Sequence, residues 1–491
     1  MKNLEDLLAE LEYSVEEGDT DGLEITDVVM DTRKIVPGCL FVCISGAKFD
    51  GHDFAAEAVQ KGAKVLVTEK DISLREDSRI TEIRVQDTRQ ALAFISAAFY
   101  DYPGDRLTTI GITGTKGKTT TTYLIKQMLE NAGHKVGLVG TIETIIGDRH
   151  KPSLNTTPES LTLQRYFSEM LKEGIDTVVM EVSSQALMLH RTDGFKFDYA
   201  VYTNISPDHI GANEHKDFDD YLKCKSLLFS QCRIGIVNND DDHVGDILKN
   251  ARCTVERFGL SGECDLSASN IELVNGGSYL GVKFRTEGLV NGEFRCDMPG
   301  RFTVYNALSA IAVCRHFEVS ADDMNKALQS ARVKGRIEMI DISPDYTLMI
   351  DYAHNAMALE SLLTTLKEYN PERLVTVFGC GGNRARDRRF DMGEVSGKLS
   401  DLTIITSDNP RFEDPQAILD DIETGIKRTD GEYIKIIDRK EAIAYAIHNA
   451  KKGDVIVLAG KGHEDYQEIK GVKYPMDERV LIDEILKEGN E

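Results

Sequence analysis

The chain has nine cysteines but no C-x-x-C pair, so neither a zinc knuckle nor a disulfide frame is indicated, and a reducing cytoplasm is the expected location. Cys39 and Cys43, in "CLFVCIS", would lie well over ~10 Å apart along a strand, too far to share a metal directly. Long apolar runs are missing as well. Nothing approaches the ~18 consecutive apolar residues of a membrane span, and the opening "MKNLEDLLAELEYSVEEGD" is acidic and amphipathic, unlike a secretory signal. Positive charge is scarce: 58 Lys and Arg stand against 82 Asp and Glu, a net charge of −24. That balance argues against a nucleic-acid partner, which needs a cationic surface for its phosphates. It leaves small anionic substrates open, because a local site can invert the global sign. Low-complexity segments and short tandem repeats are also lacking.

What is present points to a soluble, several-domain α/β protein, expected to be monomeric. At ~150 residues per domain, 491 residues suggest three, and 41% hydrophobic residues fit a globular chain. From about residue 105, short β-rich runs alternate with helical segments. The first series reads "LTTIGIT", "KVGLVGTI", "IDTVVMEVS", "DYAVYTNIS" and "RIGIVNND"; the second reads "YTLMIDYA", "RLVTVFGCG", "DLTIITSD", "YIKIID" and "DVIVLAGKG". Nearly continuous Val/Ile/Leu runs with crossover helices between them predict buried parallel strands, and two such series predict two doubly wound domains. Between the series lie two hairpin-like stretches and the helical "YNALSAIAVCRHF". The expected boundaries are 1–103, ending near "YDYPGD", then 104–334 and 335–491. Ligands sit at the carboxyl ends of strands in open α/β sheets, and nearly every polar or glycine-rich cluster falls there.

"GITGTKGKTTTTYL", residues 111–124, follows a strand and opens a helix. Ile112 stands where G-x-x-x-x-G-K-[ST] would have its first glycine. Even so, Gly114 and Gly117 let backbone N–H groups wrap an oxyanion, Lys118 reaches β/γ-phosphates, and Thr119 is placed for Mg²⁺. Glu181 and His209, after "DTVVM" and "YTNISPD", are metal candidates on the same side, since a carboxylate plus phosphate oxygens is how Mg²⁺ is usually held. In "DFDDYLKCKSLLFSQ" helical spacing puts Lys225 on the apolar stripe of Leu222 and Phe229. An inward lysine is pushed toward the neutral amine by desolvation and could add carbon dioxide to become an anionic carbamate. Alternatively it snorkels outward along its stem, the reading that periodicity alone favours. Arg384 and Arg411, in "GGNRARDRR" and "DNPRFEDP", suggest bidentate recognition of a carboxylate, against a solvated salt-bridge network. Glu464, in "GKGHEDYQ", could pair with an ammonium group.

Taken together, "TGTKGKTTT", "NTTPES", "EVSSQALMLHR", "TNISPDH", "YLKCKSLLF", "YNALSA", "GRIEMI", "DYAHNA", "SDNPRFEDP" and "GKGHEDYQ" resemble the Mur ligases, ATP-dependent amide ligases of peptidoglycan precursor synthesis. The resemblance runs from residue 31 to 467 in the family's order. It implies a three-domain architecture: a UDP-substrate-binding N-terminal domain, a P-loop central α/β domain and a Rossmann-like C-terminal domain. The pattern is most similar to members that add the third residue of the stem peptide, and "DNPR" to those using meso-diaminopimelate rather than lysine. Implied ligands are ATP, Mg²⁺, UDP-N-acetylmuramoyl-L-alanyl-D-glutamate and meso-diaminopimelate.

By the same resemblance Gly114, Thr115, Lys116, Gly117, Lys118, Thr119 and Thr120 would hold ATP, with Asn306, Arg336, Asp351 and His354. Thr119, Glu181, His209 and a carbamylated Lys225 would face the metal. Thr32, Ala47, Lys48, Phe49, Asn155, Thr156, Thr157, Ser183 and Arg191 would contact the UDP-linked substrate. Arg384, Asp408, Asn409, Pro410, Arg411, Gly460 and Glu464 would hold diaminopimelate. The chain departs from the family pattern in "SPDHIGANEH", in "DYAHNAMALE" without the usual proline, in Lys223 and Cys224 where small residues are common, and in Thr32 for serine. Alternatives are the same chemistry with L-lysine or another diamino acid, a folylpolyglutamate synthetase, which would lack the 100-residue amino-terminal module with "PGCLFVCISG", and a nucleotide-switched binding protein without ligase activity.

Overall fold

The computed structural model describes residues 1–46, 48–74, 79–211, 214–277 and 279–488. The chain divides into two compact units, Met1–Leu266 with Ser309–Val319, and Ser267–Leu308 with Ser320–Glu491. Among the described residues no helix is long and apolar enough to cross a membrane.

The first unit begins with a five-stranded sheet in the order Ser14–Glu17, Thr81–Arg84, Val65–Thr68, Leu40–Val42, Val28–Val29. All neighbours are parallel except the Ser14–Glu17 edge. Strands Val28–Val29, Leu40–Val42 and Val65–Thr68 are buried and nearly all apolar without alternation because both faces are covered, whereas the Ser14–Glu17 edge is exposed. Leu40, Val42, Val65 and Val67 pack with Leu92 and Ile95, while Phe41 and Leu66 pack with Ala55 and Ala58. Helix Thr88–Phe99 starts where Asp87 accepts from the Arg89 and Gln90 amides at 2.8 and 2.9 Å.

The unit's second sheet places Thr108–Thr113 in its middle, flanked by parallel strands Thr177–Glu181 and Phe197–Tyr202. Val136–Val139 and the Glu143–Ile146 hairpin lie beyond the first of these, and Cys232–Asn238 and Thr254–Gly259 beyond the second. The chain runs outward in both directions from Thr108–Thr113, so its carboxyl end is a topological switch point. Register pairs Glu181 with Ile112 and Tyr202 with Thr113, bringing three strand ends level. One face of this sheet packs Val178, Met180 and Phe197 against Leu163, Phe167 and Met170 of helix Ser160–Lys172.

The second unit carries the antiparallel pair Leu280–Gly288 and Gly292–Cys296, so "LVNGEFRCDM" does close a hairpin. It also carries a six-stranded sheet ordered Glu338–Ile340, Thr347–Asp351, Asp454–Ala459, Arg373–Phe378, Leu402–Ile405, Tyr433–Lys435. Only the first pairing is antiparallel. The late strand Asp454–Ala459 inserts beside Arg373–Phe378, with Ala459 level with both Asp351 and Phe378. "GKGHED", "DYAHNA" and "GCGG" therefore leave adjacent strand ends.

Candidate active site

At the switch point of the first unit, Gly114 has φ +151°, and a Cβ there would stand 2.0 Å from Thr203 Oγ1. The close approach, as much as the dihedral, demands glycine. Gly117, at φ +89°, caps helix Lys118–Asn131 without a side-chain hydrogen bond. Asp87, Ser183, Asp217, Asn355 and Asp438 cap their helices with side-chain oxygens. The loop helix instead opens on a glycine with no side-chain cap, and the positive end of its dipole faces the loop, which suits an oxyanion. The loop is pinned from the neighbouring strand end. Asn204 O accepts from Thr115 N at 2.9 Å and Asn204 Oδ1 from Lys116 N at 3.0 Å, while Thr203 Oγ1 donates to Lys116 O at 2.7 Å.

Lys118 Nζ folds back onto the carbonyls of Gly114 and Thr115, at 2.8 and 3.1 Å. Thr119 Oγ1 donates to both oxygens of Glu181 at 3.0 Å, and Thr141 reaches the same carboxylate from its amide at 2.8 Å and its hydroxyl at 3.0 Å. Thr156 joins through the Thr141 hydroxyl at 3.0 Å. Thr157 Oγ1 donates to Glu181 O at 2.9 Å and accepts from Ser183 N at 3.0 Å, while Arg191 donates to Thr157 O at 3.0 Å. The threonines of "NTTPES" thus converge on the strand end of "VVMEVSS".

Lys225, on helix Phe218–Ser226, points inward and is 2% exposed. Its Nζ donates to Gly114 O at 2.9 Å, the oxygen Lys118 also reaches, and lies 4.6 Å from the centre of the Tyr221 ring. Burial, and then the nearby Lys118 charge, hold its pKa well below that of an ordinary lysine. The snorkelling alternative is therefore not the one adopted. Tyr221, whose phenol burial pushes up to about 12, shares a 3.1 Å hydrogen bond with Thr115 Oγ1.

Other expected residues of this unit are not drawn in. His209 is exposed, at φ +53°, with Nδ1 3.2 Å from Glu214 Oε1. Asn155 and Lys48 are exposed and Phe49 is 74% exposed. Thr32 opens the short turn Thr32–Lys34 of the first sheet's module. Ala47 lies outside the described residues.

In the second unit the organising group is Lys461, fully buried. Its Nζ donates to Glu464 Oε2 at 2.8 Å, to Asn409 Oδ1 at 3.1 Å and to the Tyr466 carbonyl, with Asp408 Oδ1 at 3.8 Å. Asn409 Nδ2 also reaches Glu464 Oε2, at 2.9 Å. "DNPR" and "GKGHED" are thereby one cluster. Arg411 donates to Glu468 Oε2 at 3.2 Å and to Gly382 O at 2.8 Å. Pro410 is buried, Gly460 N donates to Asp351 O at 3.0 Å, and Arg384 stands exposed. Beneath them, buried Arg439 donates to Ser407 O at 3.2 Å and Ala459 O at 3.0 Å, and is held by Glu478 at 2.8 Å. It ties together the residues preceding Asp408 and Gly460.

Beside this cluster the Tyr352 ring lies 4.7 Å from the Arg336 guanidinium and 4.5 and 4.8 Å from the rings of His354 and His463. Burial, then Arg336, lowers His463 to about 4, and burial also lowers His354. Asp351 accepts from the amides of Ile337 and Ala353 at 2.8 Å each, and burial raises its carboxyl. Asn306, on helix Phe302–Cys314, is buried.

Sequence reasoning missed Thr141, Asn204, Tyr221, Lys461, Arg439 and Glu478. Lys461 follows directly on "DVIVLAG", and its strand-end place was the available signal. The Arg439–Glu478 pair had none, since its members lie 39 residues apart.

Residues 112–314 match the Mur ligase middle domain, residues 335–462 the Mur ligase glutamate ligase domain, and residues 24–100 the catalytic domain of the Mur ligase family. The chain is 43% identical over 488 residues to a UDP-N-acetylmuramoyl-L-alanyl-D-glutamate--2,6-diaminopimelate ligase of Caldanaerobacter subterraneus subsp. tengcongensis, covering 99% of both chains. It is 42% identical over 488 residues to the corresponding ligase 1 of Clostridium acetobutylicum, again over 99% of both. A solved structure of a UDP-N-acetylmuramoyl-L-alanyl-D-glutamate--2,6-diaminopimelate ligase is similar with a TM-score of 0.75 at 26% identity, across 100% of this chain and 99% of that one.

Proposed function

The chain belongs to the Mur ligase family, and we propose that it adds meso-diaminopimelate to UDP-N-acetylmuramoyl-L-alanyl-D-glutamate at the expense of ATP, in peptidoglycan precursor synthesis. A carboxylate is a poor electrophile. Transfer of the γ-phosphoryl group to the D-glutamyl carboxylate gives an acyl phosphate, which the amine of diaminopimelate attacks. The tetrahedral adduct then expels phosphate to leave the amide. Such a site works by positioning and by stabilising charge.

Gly114 to Thr120 would cradle the phosphates at the start of helix Lys118–Asn131, with Lys118 leaving two carbonyls for the β/γ-oxygens. Thr119 Oγ1 and Glu181, 3.0 Å apart, form an oxygen-only donor set of the kind Mg²⁺ takes. When bound, the ion neutralises charge on the transferring group. Lys225 carries the proposal. An ammonium beside Lys118 is disfavoured there, whereas the neutral amine can bond to carbon dioxide, release a proton and become a carbamate whose negative charge suits both Lys118 and a metal. His209 would have to leave Glu214 to join them. Asn306, Arg336, Asp351 and His354 would contribute to ATP, and Thr32, Ala47, Lys48, Phe49, Asn155, Thr156, Thr157, Ser183 and Arg191 to the UDP-linked substrate.

Diaminopimelate would be held by Arg384, Asp408, Asn409, Pro410, Arg411, Gly460 and Glu464. Its amino-acid end would replace the partners that Asn409 and Glu464 now have in each other and in Lys461. Its distal carboxylate would take the Arg411 fork from Glu468. L-lysine lacks that carboxylate and would leave a half-buried guanidinium without its new partner. The test is ADP release with the UDP-muramoyl dipeptide and a panel of diamino acids, with mass spectrometry of the product. Amide formation dependent on diaminopimelate is expected. ATP hydrolysis indifferent to every amino acid would leave a nucleotide-switched protein instead.

A further inference from the structure

Just ahead of Lys225 lies a donor cluster that the ligation does not use. His215, Asp220 and Cys224 each offer one ligand atom, and the three atoms lie within 4.8 Å of one another. Asp220 and Cys224 are four residues apart on helix Phe218–Ser226 and so share one face. His215 comes from the preceding turn, where its backbone amide donates to His209 O at 3.0 Å. The imidazole is fully buried and Cys224 is 6% exposed, while the Asp220 side chain is 26% exposed and leaves an entry from solvent.

We propose that His215, Asp220 and Cys224 form a binding site for a thiophilic divalent cation such as zinc, distinct from the oxygen-lined Thr119–Glu181 cluster. The donor chemistry selects the ion. One imidazole nitrogen, one carboxylate oxygen and one thiolate sulfur suit zinc and its neighbours, whereas magnesium prefers oxygen alone. Bond lengths of about 2.0 to 2.3 Å place tetrahedral ligand atoms roughly 3.3 to 3.8 Å apart. His215 Nδ1 and Asp220 Oδ2 are already 3.1 Å apart, so the set closes by side-chain rotation of about 1 Å. Three protein ligands leave a fourth position for water.

The support that a metal-bound histidine needs is also in place. His215 Nε2 lies 2.8 Å from Ser184 Oγ, at the start of helix Ser184–Met188. A hydroxyl can donate to Nε2 in the free protein and accept from Nε2–H in the loaded one, fixing the tautomer that exposes Nδ1. The ion then takes the place of the proton between Nδ1 and Asp220, that proton is carried on Nε2, and the Cys224 thiol gives its proton to solvent. Because Cys224 precedes Lys225, occupancy would grip the turn that presents the lysine.

Full-length protein freed of metal should be titrated with cobalt(II) and read for a thiolate-to-cobalt charge-transfer band. One equivalent with tetrahedral band intensities is expected, displaced by zinc. Cys224→Ala should abolish the band with an unchanged melting temperature, and Asp220→Asn should weaken affinity at least tenfold. Eight other cysteines are present, so a band that survives in Cys224→Ala, or no band in the native protein, overturns the site. Zinc should slow ligation in the native protein and leave Cys224→Ala unaffected; equal slowing in both overturns the link to Lys225.

Discussion

In the first unit, Lys225 is 2% exposed and meets a carbonyl oxygen and the face of Tyr221. In the second, Lys461 is 0% exposed and sits against Glu464, Asn409 and Asp408. Lys461 follows the carboxyl end of strand Asp454–Ala459, and Lys225 reaches the loop after strand Thr108–Thr113 from helix Phe218–Ser226; both are buried, yet their burial is handled in opposite ways. The second unit closes its charges internally: Lys461 on Glu464, Arg411 on Glu468, Arg439 on Glu478, Arg389 on Glu413 and Asp421. On the proposed function, such a site would recognise a charged ligand by exchanging partners. The first unit keeps a buried amine whose ammonium form is opposed by its surroundings, so chemistry on the amine, or an arriving anion, relieves it. On the proposed function, one site would work by exchange and the other by conversion.

The comparison breaks most visibly at Lys118. Lys118→Ala should lower phosphate release about 10³-fold, ~4 kcal/mol of barrier, with circular dichroism and melting unchanged. Turnover within tenfold of the native rate would remove the loop from the chemistry. Next come the paired stability changes. Lys461→Met leaves buried Asp408 and half-buried Glu464 without their cation and should cost ~3 kcal/mol in chemical denaturation. Lys225→Met removes a desolvated amine and should leave stability equal or higher, while ligation falls ~10²-fold and the mass of one bound carbon dioxide disappears from the intact protein. Equal destabilisation by both would mean the two lysines are the same kind of residue.

The contrast was only half legible in the sequence. The two parallel sheets, the loop and the strand-end placement of Glu181 and "DNPR" follow from runs of Val, Ile and Leu with punctuation at fixed places, and the structure has them there. Helical spacing put Lys225 on an apolar stripe but by itself favoured a snorkelling amine, where the structure has an inward one. That choice depends on Tyr221 and the Gly114 carbonyl, 111 residues away. Arg384 and Arg411 looked alike as strand-end forks, yet one is exposed and the other half-buried on Glu468. Pairing of charges across long separations, as in Arg439 with Glu478, leaves no local pattern to read.

Arg411 sharpens the exchange half of the comparison. Arg411→Lys keeps the charge but loses the planar fork that a carboxylate takes bidentately. The KM for diaminopimelate should rise ~10- to 50-fold, with that for ATP within about twofold. Equal increases in both would make Arg411 a scaffold residue that holds Glu468 and Gly382 in place.

The smallest effect concerns His463, whose ring lies tilted at 4.8 Å from the Tyr352 ring, near the Arg336 guanidinium. Its pKa is depressed in the folded protein, to about 4, against ~6.5 in an unfolded chain. Between those values the unfolded state binds the extra proton, so the neutral ring's contribution is complete above about pH 6.5 and is lost as pH falls toward 4. Discounting for the ring's partial exposure, the native protein should lose about 1–2 kcal/mol more stability between about pH 7 and 5 than His463→Gln. Urea midpoints at the two pH values measure this difference. If both proteins lose the same amount, the imidazole titrates as freely as in solution, and the second unit then closes its charges without also excluding new ones.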